Sequence, residues 1–197
     1  MIILITILIA FMLGSIPTGY LLVKHFCGID IRTQGSGNIG STNVKRIVGT
    51  KISIATQVGD IVKGVVAVAL GIVASKLYEL PISTDVYLSI IAVVVILGHD
   101  YTPFLGFNGG KGVNTTMGAF ILLAPIATLS GVVVYFILRA TTKIVSIRSI
   151  SLGATIPIIC IILKEPRPII IATICASVIM IYRHKANIVR MIKKEEK

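Results

Sequence analysis

The sequence predicts an all-α integral membrane protein with about seven transmembrane or membrane-embedded helices. Of its 197 residues, 55% are hydrophobic and 14% are charged, which is more apolar material than a soluble core of this size buries. Apolar runs of nearly membrane-crossing length recur from one end to the other, and Lys and Arg are concentrated between some of them. Because no polar block is large enough to fold alone, residues 1–197 are expected to form one membrane-embedded domain.

Six apolar runs are candidate spans: 2–23, 52–75, 86–105, 115–138, 144–163 and 169–182. The first lacks the basic start and small-residue cleavage site of a secretory signal, so we expect it to be retained as a helix. Pro125 lies near the middle of the fourth run and predicts a break there, because proline cannot continue helical hydrogen bonding. Splitting that run into a hairpin of two short helices brings the count to seven.

The placement of the basic residues predicts the orientation. Residues 24–51 contain five Lys or Arg, residues 139–148 three and residues 183–197 six, whereas residues 76–85 contain one. Such clusters favour the cytoplasmic side. Seven segments satisfy this rule with the N-terminus outside and the C-terminus cytoplasmic, in a multi-pass protein of the cell membrane. The net charge of +11 is then explained by anionic membrane lipids, without nucleic acid.

The first polar segment, residues 30–46, combines glycines, amides and hydroxyls with flanking cations. Gly35, Gly37 and Gly40 match the G-x-G-x-x-G spacing, in which backbone N–H groups can approach a phosphate. The motif follows a membrane helix, not a strand, and no acidic residue lies about 20 positions later, so a dinucleotide fold is not expected. We predict phosphate binding by this loop with Arg46; the alternative is a flexible connector.

The second polar segment places Gly109, Gly110, Lys111 and Gly112 directly before an apolar run. Helix N-terminal amides and an ammonium can together bind a phosphoryl group, although the Walker spacing is absent. The alternative is a cytoplasmic turn with an interfacial lysine.

In the third polar segment, His184 and Asn187 are three residues apart and share one face of any helix that continues out of the last span. That face could point at the other two segments. The alternative is a solvated, lipid-facing flank.

Two further pairs of titratable residues stand out. Asp60 and Lys63, three apart in an apolar run, are expected to pair and so avoid a lone charge in the membrane; a role in holding the first polar segment against the bundle is also plausible. His25 and Asp30 have the H-x-x-x-x-D spacing of acyl-thioester-dependent acyltransferases. Gly28 interrupts that stretch, and we interpret the match as coincidence.

The cysteines Cys27, Cys160 and Cys175 share no close spacing. They indicate neither a disulfide framework nor a metal site. No metal and no organic cofactor is expected.

Together, the three polar segments resemble the signature regions of the PlsY family, the bacterial acyl-phosphate:glycerol-3-phosphate acyltransferases. The resemblance rests on residues 14–20 leading to 35–40, on residues 109–112, and on Arg183, His184 and Asn187. It implies a membrane enzyme that transfers a fatty acyl group from acyl phosphate to the sn-1 hydroxyl of glycerol 3-phosphate. The products would be lysophosphatidic acid and phosphate, in the first step of phospholipid synthesis. It also implies seven membrane helices and a site near the cytoplasmic face.

Carried over residue by residue, the resemblance implies these catalytic positions: Ser36, Arg46, Lys111, His184 and Asn187. The candidate phosphate-binding positions are Gly35, Gly37, Asn38, Gly40, Asn43, Gly109, Gly110 and Gly112. Either His184 or the substrate's own phosphate could take the proton of the attacking hydroxyl.

This chain departs from the family pattern at several positions. Ser41 and Asn114 stand where alanine is usual, Asn108 replaces a common lysine and Ala186 a common glutamate. The missing lysine weakens the local positive field.

Two other function classes compete with the enzyme hypothesis. A small membrane transporter of a phosphorylated or carboxylated anion would also use broken helices and intramembrane charges. Its site would be expected near the membrane midplane, whereas the polar segments here fall at one face. A structural subunit without chemistry does not explain three glycine- and cation-rich segments on one side. Protein partners cannot be predicted.

Overall fold

The computed structural model describes residues 1–196, which form ten α-helices and two short 3-10 helices without a β-strand. The α-helices are α1 Ile2–Ser15, α2 Thr18–Cys27, α3 Ser41–Val48, α4 Thr50–Leu77, α5 Thr84–Asp100, α6 Val113–Phe120, α7 Pro125–Thr141, α8 Val145–Ile162, α9 Arg167–Arg183 and α10 Lys185–Ile192. The 3-10 helices are Ile31–Thr33 and Pro103–Leu105. The predicted all-α class is confirmed.

Within the described residues, four helical stretches are long and apolar enough to cross a membrane: Ile2–Cys27, Thr50–Leu77, Thr84–Leu105 and Val145–Ile162. A fifth is the pair α9 and α10, which is bent by 56°. Large apolar side chains such as Leu8, Val133 and Ile171 remain exposed on the outer surface, as lipid-facing side chains do. The chain is therefore a multi-pass membrane protein, while the count of seven and the orientation stay predictions.

Two breaks in the helices have local causes. The apolar run 115–138 is interrupted where the sequence predicted, because α6 ends at Phe120 and α7 begins at Pro125. The first run is also broken, which was not predicted. Pro17 follows Ile16, whose ψ of 113° is extended, as expected for a residue before proline.

The helix α5 is at the centre of the bundle and packs against α1, α4, α6 and α9. Its buried residues Tyr87, Ile91 and Val95 belong to the largest apolar cluster. Glycines allow α1 and α5 to approach closely, because a Cβ at Gly14 would collide with the carbonyl oxygen of Val95. The end of α5 is thereby fixed beside the break between α1 and α2.

A smaller apolar cluster holds the first polar segment in place. The cluster contains three fully buried residues: Val23 of α2, Ile31 of the first 3-10 helix and Val44 of α3. Ile39 and Leu105 pack beside them. Burial of these side chains holds the loop before α3 against α2 and against the segment after α5.

Candidate active site

The three polar segments meet at a cavity of about 710 Å³. Its wall includes all five predicted catalytic residues: Ser36, Arg46, Lys111, His184 and Asn187. Of the predicted phosphate-binding residues, the cavity wall includes Asn38, Gly40, Asn43 and Gly112. Residues more than 140 positions apart in the sequence therefore line one site.

Asn43 organises the first polar segment. It is buried, and its side-chain oxygen accepts a hydrogen bond from the backbone N–H of Ser36 at 3.0 Å. Its Nδ2 donates to the carbonyl oxygens of Gln34 and Asn38, both at 3.0 Å. Three of its four hydrogen-bonding positions are thus used by the loop backbone, so the amide mainly shapes the loop that presents the Ser36 side chain.

The glycines of this segment allow its tight turn. Gly35 and Gly37 have φ values of 57° and 70°, which side chains other than that of glycine rarely adopt. The N–H of Gly37 donates to the Gln34 carbonyl at 3.0 Å, and that of Gly40 to Asn38 Oδ1 at 2.9 Å. These N–H groups donate inside the loop, and phosphate binding at Gly37 and Gly40 stays a prediction.

The second polar segment is tied to the end of α5. The N–H of Gly109 donates to the Asp100 carbonyl at 3.1 Å, and the N–H of Gly110 to the His99 carbonyl at 3.0 Å. A Cβ at Gly110 would collide with the His99 ring. These two glycines allow close packing on α5, and their N–H groups donate within the protein; their part in phosphate binding stays a prediction. Gly112, at the start of α6 with φ of 72°, lines the cavity.

Lys111 projects from this loop to the third polar segment. Its Nζ donates to Asn187 Oδ1 at 2.6 Å. Burial lowers the pKa of Lys111 to about 8, with Arg190, Arg183 and Arg46 acting in the same direction and Glu196 against it. The ammonium therefore lies in a cluster of cations, as an anion site requires.

His184 and Asn187 lie at the bend between α9 and α10, and both are buried. The prediction that they face the other polar segments is confirmed. His184 Nδ1 lies 2.8 Å from the Met180 carbonyl oxygen. We infer from this contact that Nδ1 carries the proton, which leaves Nε2 as an acceptor.

Arg183, one of the residues on which the resemblance rests, was not predicted to be catalytic, yet it holds a loop of the site. Its Nε donates to the Gly110 carbonyl at 3.0 Å and its Nη2 to the Gly109 carbonyl at 3.2 Å. The guanidinium also stacks 4.9 Å from the ring centre of Tyr101. Arg183 thus fixes the loop that carries Lys111. In the sequence, its position directly before His184 was the feature that could have indicated a role in the site.

Glu196 is the second residue that was missed. Its Oε1 accepts from Asn187 Nδ2 at 2.5 Å and from Ser146 Oγ at 2.7 Å, while Oε2 accepts from Arg190 Nε at 2.6 Å. Burial alone would raise the pKa of Glu196, but these hydrogen bonds lower it below its ordinary value. Asn187 consequently bridges Lys111 and Glu196. Glu196 lies in a C-terminal segment rich in lysine and arginine, and nothing in that pattern predicted its contact with Asn187.

Asp60 and Lys63 form the predicted pair, with Lys63 Nζ 2.9 Å from Asp60 Oδ1. The same Nζ donates to the carbonyl oxygen of Ile16 at 3.0 Å, at the break between α1 and α2. The pair therefore helps to hold the start of α2, which leads to the first polar segment, against α4.

The rejected H-x-x-x-x-D pair has no place in the cavity wall. His25 is exposed at the end of α2. Asp30 forms an ion pair with Arg32 at 2.6 Å, which lowers the pKa of Asp30 to about 2. The structure thus supports the interpretation of this spacing as coincidence.

Two departures from the family pattern contact each other. Asn114 Nδ2 donates to Ser41 Oγ at 3.3 Å, and both residues line the cavity. They join the first turns of α3 and α6.

Comparison with known proteins supplies independent evidence about the chain as a whole. A family model described as glycerol-3-phosphate acyltransferase matches residues 4–194. A glycerol-3-phosphate acyltransferase of Clostridium acetobutylicum is 61% identical over 196 residues, covering 100% of this chain and 99% of that protein. A glycerol-3-phosphate acyltransferase of Clostridioides difficile is 42% identical over 190 residues, which cover 96% of this chain and 91% of that protein.

Two solved structures share the fold. One is the glycerol 3-phosphate form of PlsY (YgiH), an integral membrane glycerol 3-phosphate acyltransferase, with a TM-score of 0.90 and 30% identity. The other is its lysophosphatidic acid form, with a TM-score of 0.88 and 29% identity. Each match covers 100% of this chain and 95% of the other.

Proposed function

Because this chain belongs to the glycerol-3-phosphate acyltransferase family, we propose that it transfers a fatty acyl group from acyl phosphate to the sn-1 hydroxyl of glycerol 3-phosphate. The products are lysophosphatidic acid, which stays in the membrane, and inorganic phosphate. The observation that carries the proposal is the convergence of Ser36, Arg46, Lys111, His184 and Asn187 on one cavity. The chain is thus an acyltransferase enzyme.

Both substrates carry a phosphate, so the site must hold two anions close together. We assign Ser36, Arg46, His184 and Asn187 to the positioning of glycerol 3-phosphate. Lys111 stabilises the phosphate of the donor and the charge that develops on the acyl oxygen. The hydrogen bond between Lys111 and Asn187 supports this assignment of residues to the two substrates, since it places a residue of the donor site directly beside a residue of the acceptor site.

The acyl chain of the donor lies against the apolar part of the cavity. That wall includes Met117, Val132, Phe136 and Leu152 from α6, α7 and α8. The helices α7 and α8 also carry exposed apolar side chains on their outer faces, so an acyl chain can enter sideways from the bilayer between them.

Acyl phosphate is already activated, because phosphate is a good leaving group, and a protein nucleophile is not required. The hydroxyl proton goes either to His184 or to a substrate phosphate. The contact of His184 Nδ1 with Met180 supports the first route, since it leaves Nε2 free to accept a proton.

The membrane arrangement belongs to the same proposal: seven membrane-embedded segments, the N-terminus outside, and the C-terminus and active site facing the cytoplasm. Residue 143 is then cytoplasmic and residue 76 external. Lys76→Cys and Lys143→Cys, made after Cys27→Ser and Cys175→Ser, test this with an impermeant maleimide on intact cells. Labelling at position 76 alone is expected, and labelling at position 143 alone contradicts the orientation.

The activity is tested with the purified protein in lipid, palmitoyl phosphate and radiolabelled glycerol 3-phosphate. Lysophosphatidic acid is expected from palmitoyl phosphate, not from palmitoyl-CoA, and Lys111→Ala should lower its rate of formation by about 100-fold or more, to a small residual rate. Lys185→Ala, which removes an exposed lysine near the same site, is the matched control. Folded protein that makes no product from either donor would contradict the proposal and revive the transport hypothesis, which family membership otherwise disfavours.

A further inference from the structure

A buried polar group lies beneath the second polar segment. Asp60 and Lys63 of α4 and His99 of α5 are 2%, 5% and 5% exposed. Lys63 Nζ contacts three acceptors: Asp60 Oδ1 at 2.9 Å, the Ile16 carbonyl oxygen at 3.0 Å and His99 Nδ1 at 2.7 Å. The contacts with the Ile16 carbonyl oxygen and with His99 Nδ1 are hydrogen bonds, and the contact with Asp60 is an ion pair; an ammonium can only donate, so Nδ1 is the acceptor.

This arrangement determines the protonation of His99. Since Nδ1 accepts from the ammonium, it carries no hydrogen, and the single ring proton is on Nε2. An imidazolium would place a second cation against Lys63, while the nearest carboxylate, Asp60 with Oδ1 3.6 Å from His99 Nδ1, is already paired with that ammonium at 2.9 Å; a second positive charge in this buried site is therefore unfavourable. His99 is therefore a neutral imidazole whose free donor is Nε2–H.

The Nε2 atom lies against the loop that carries Lys111. A Cβ built at Gly110 would collide with it, and the His99 side chain forms part of the cavity wall. Among residues 1–196, Nε2 has no hydrogen-bond partner. A donor without a protein partner thus borders a cavity that must take anionic substrates.

We propose that His99 is a further substrate-binding residue, which donates Nε2–H to a phosphate oxygen of the acyl phosphate, and that Lys63 is the positioning residue that fixes this tautomer. The inference rests on the proposed function and deepens it. A fixed neutral donor needs no reorganisation when the anion binds, which is the arrangement that stabilises developing charge most effectively. Because its Nδ1 is occupied, His99 does not take the hydroxyl proton.

The role of His99 is tested by variants that differ in one donor. His99→Leu removes the N–H at similar size, whereas His99→Gln keeps an N–H near the Nε2 position. We expect His99→Leu to lower kcat/KM for palmitoyl phosphate by about 10- to 100-fold. The KM for glycerol 3-phosphate should change less than about threefold, and His99→Gln should recover most of the loss. His25→Leu, at an exposed histidine, is the matched control.

A spectroscopic measurement tests the same contact without turnover. In the protein labelled with ¹⁵N-histidine, His99 should show a protonated Nε2 and an unprotonated Nδ1, assigned by the signals lost in His99→Gln. A non-reacting palmitoyl phosphonate should shift the Nε2 signal. Asp60→Asn with Lys63→Met removes both charges at similar volume, and should give a mixture of tautomers and a roughly tenfold lower kcat/KM.

Three results would overturn the inference: unchanged kinetics in His99→Leu, an equal rise in both KM values without recovery by glutamine, or a phosphonate that leaves the Nε2 signal unmoved. A pure Nε2–H tautomer in the double variant would exclude the role of Lys63. These failures are distinct from failure of the proposed function, in which the unaltered protein makes no lysophosphatidic acid from palmitoyl phosphate.

Discussion

The ammonium of Lys111 donates a 2.6 Å hydrogen bond to the side-chain oxygen of Asn187. The Nδ2 of the same amide donates to Glu196 at 2.5 Å. This fixes the orientation of the Asn187 side chain, because each of its two polar atoms has a charged partner. Lys111 is consequently held towards α10.

The first prediction concerns this hydrogen bond. Asn187→Ala should lower kcat/KM by about 10- to 100-fold, since a hydrogen bond to a charged group contributes roughly 1.5–3 kcal/mol. Added to Lys111→Ala, it should cost little more, because the two residues act as a unit. The measurement is a double-mutant cycle on kcat/KM.

The control for this cycle is Asn108→Ala, at an exposed amide in the same loop whose Nδ2 contacts only the Gly106 carbonyl oxygen among the described residues. It should leave kcat/KM within about twofold. Fully additive losses for Asn187→Ala and Lys111→Ala would show that the two residues act separately.

The second prediction is a pH dependence. With a pKa of about 8, Lys111 loses its positive charge as the pH rises through 8. We therefore expect kcat/KM to fall tenfold per pH unit above about pH 8. Lys111→Arg keeps its charge throughout this range, so that variant should be less active at pH 7 and should lose this alkaline decline.

Stability should change in the opposite direction over the same window. The folded pKa of about 8 lies below the ordinary value of 10.5, so between these values the unfolded chain binds more protons. The contribution of Lys111 to folding stability therefore rises with pH from about 8 to 10.5. This contribution is measured by comparing how Tm depends on pH in the unaltered protein and in Lys111→Met. The same Tm difference at pH 7 and pH 10 would contradict the assigned shift.

The third prediction concerns Arg183. Arg183→Ala removes two hydrogen bonds to the loop at 109 and 110 and the stacking on Tyr101. It should lower kcat/KM at least tenfold and also lower Tm. Arg183→Lys should recover little, because an ammonium cannot reproduce the fork of the guanidinium. Arg167→Ala, at an exposed arginine at the other end of α9, should change neither quantity.

Much of this site could be predicted because its residues stand out against an apolar sequence. Lys111, His184 and Asn187 occur at the ends of long hydrophobic runs, where polar residues are conspicuous. The break before Pro125 followed from proline chemistry. The pairing of Asp60 with Lys63 followed from helical spacing and the cost of a lone charge in the membrane.

The remaining contacts depend on how helices pack, which spacing does not encode. Nothing local indicates that Glu196 turns back onto Asn187, or that His99 lies beneath Gly110. The glycine spacing indicated where the loops lie, but not which partners their N–H groups have. Gly37, Gly40, Gly109 and Gly110 use their N–H groups within the protein, and only the hydrogen bonds of the folded loops reveal this.

The fourth prediction concerns the contact between α4 and α6. A Cβ at Gly118 would collide with the carbonyl oxygen of Ile61, and backbone cannot yield easily. Gly118→Ala should therefore lower the free energy of unfolding by about 1–3 kcal/mol. It should also lower activity, since α6 begins next to Lys111. Chemical denaturation in detergent measures the stability.

The matched control is Gly71→Ala on α4. Its Cβ would meet the flexible end of the Leu88 side chain at 3.1 Å, which can move aside. Alanine has the higher helix propensity by about 1 kcal/mol, so this variant should be neutral or more stable. Equal destabilisation by the two substitutions would exclude close packing at Gly118 as the cause.

The fifth prediction concerns the hydrogen bond between Asn114 and Ser41, both of which replace a usual alanine. At 3.3 Å the bond is long, and we expect a coupling of about 0.5–1 kcal/mol.

Ser41→Ala alone leaves the Asn114 amide without this partner beside the cavity, whereas the double variant Ser41→Ala, Asn114→Ala removes donor and acceptor together. Removing both partners costs less than removing one, so the double variant should be closer to the unaltered protein in Tm and kcat/KM than Ser41→Ala is. A double variant whose losses equal the sum of the single ones would show that the two side chains act separately and that this hydrogen bond does not couple them.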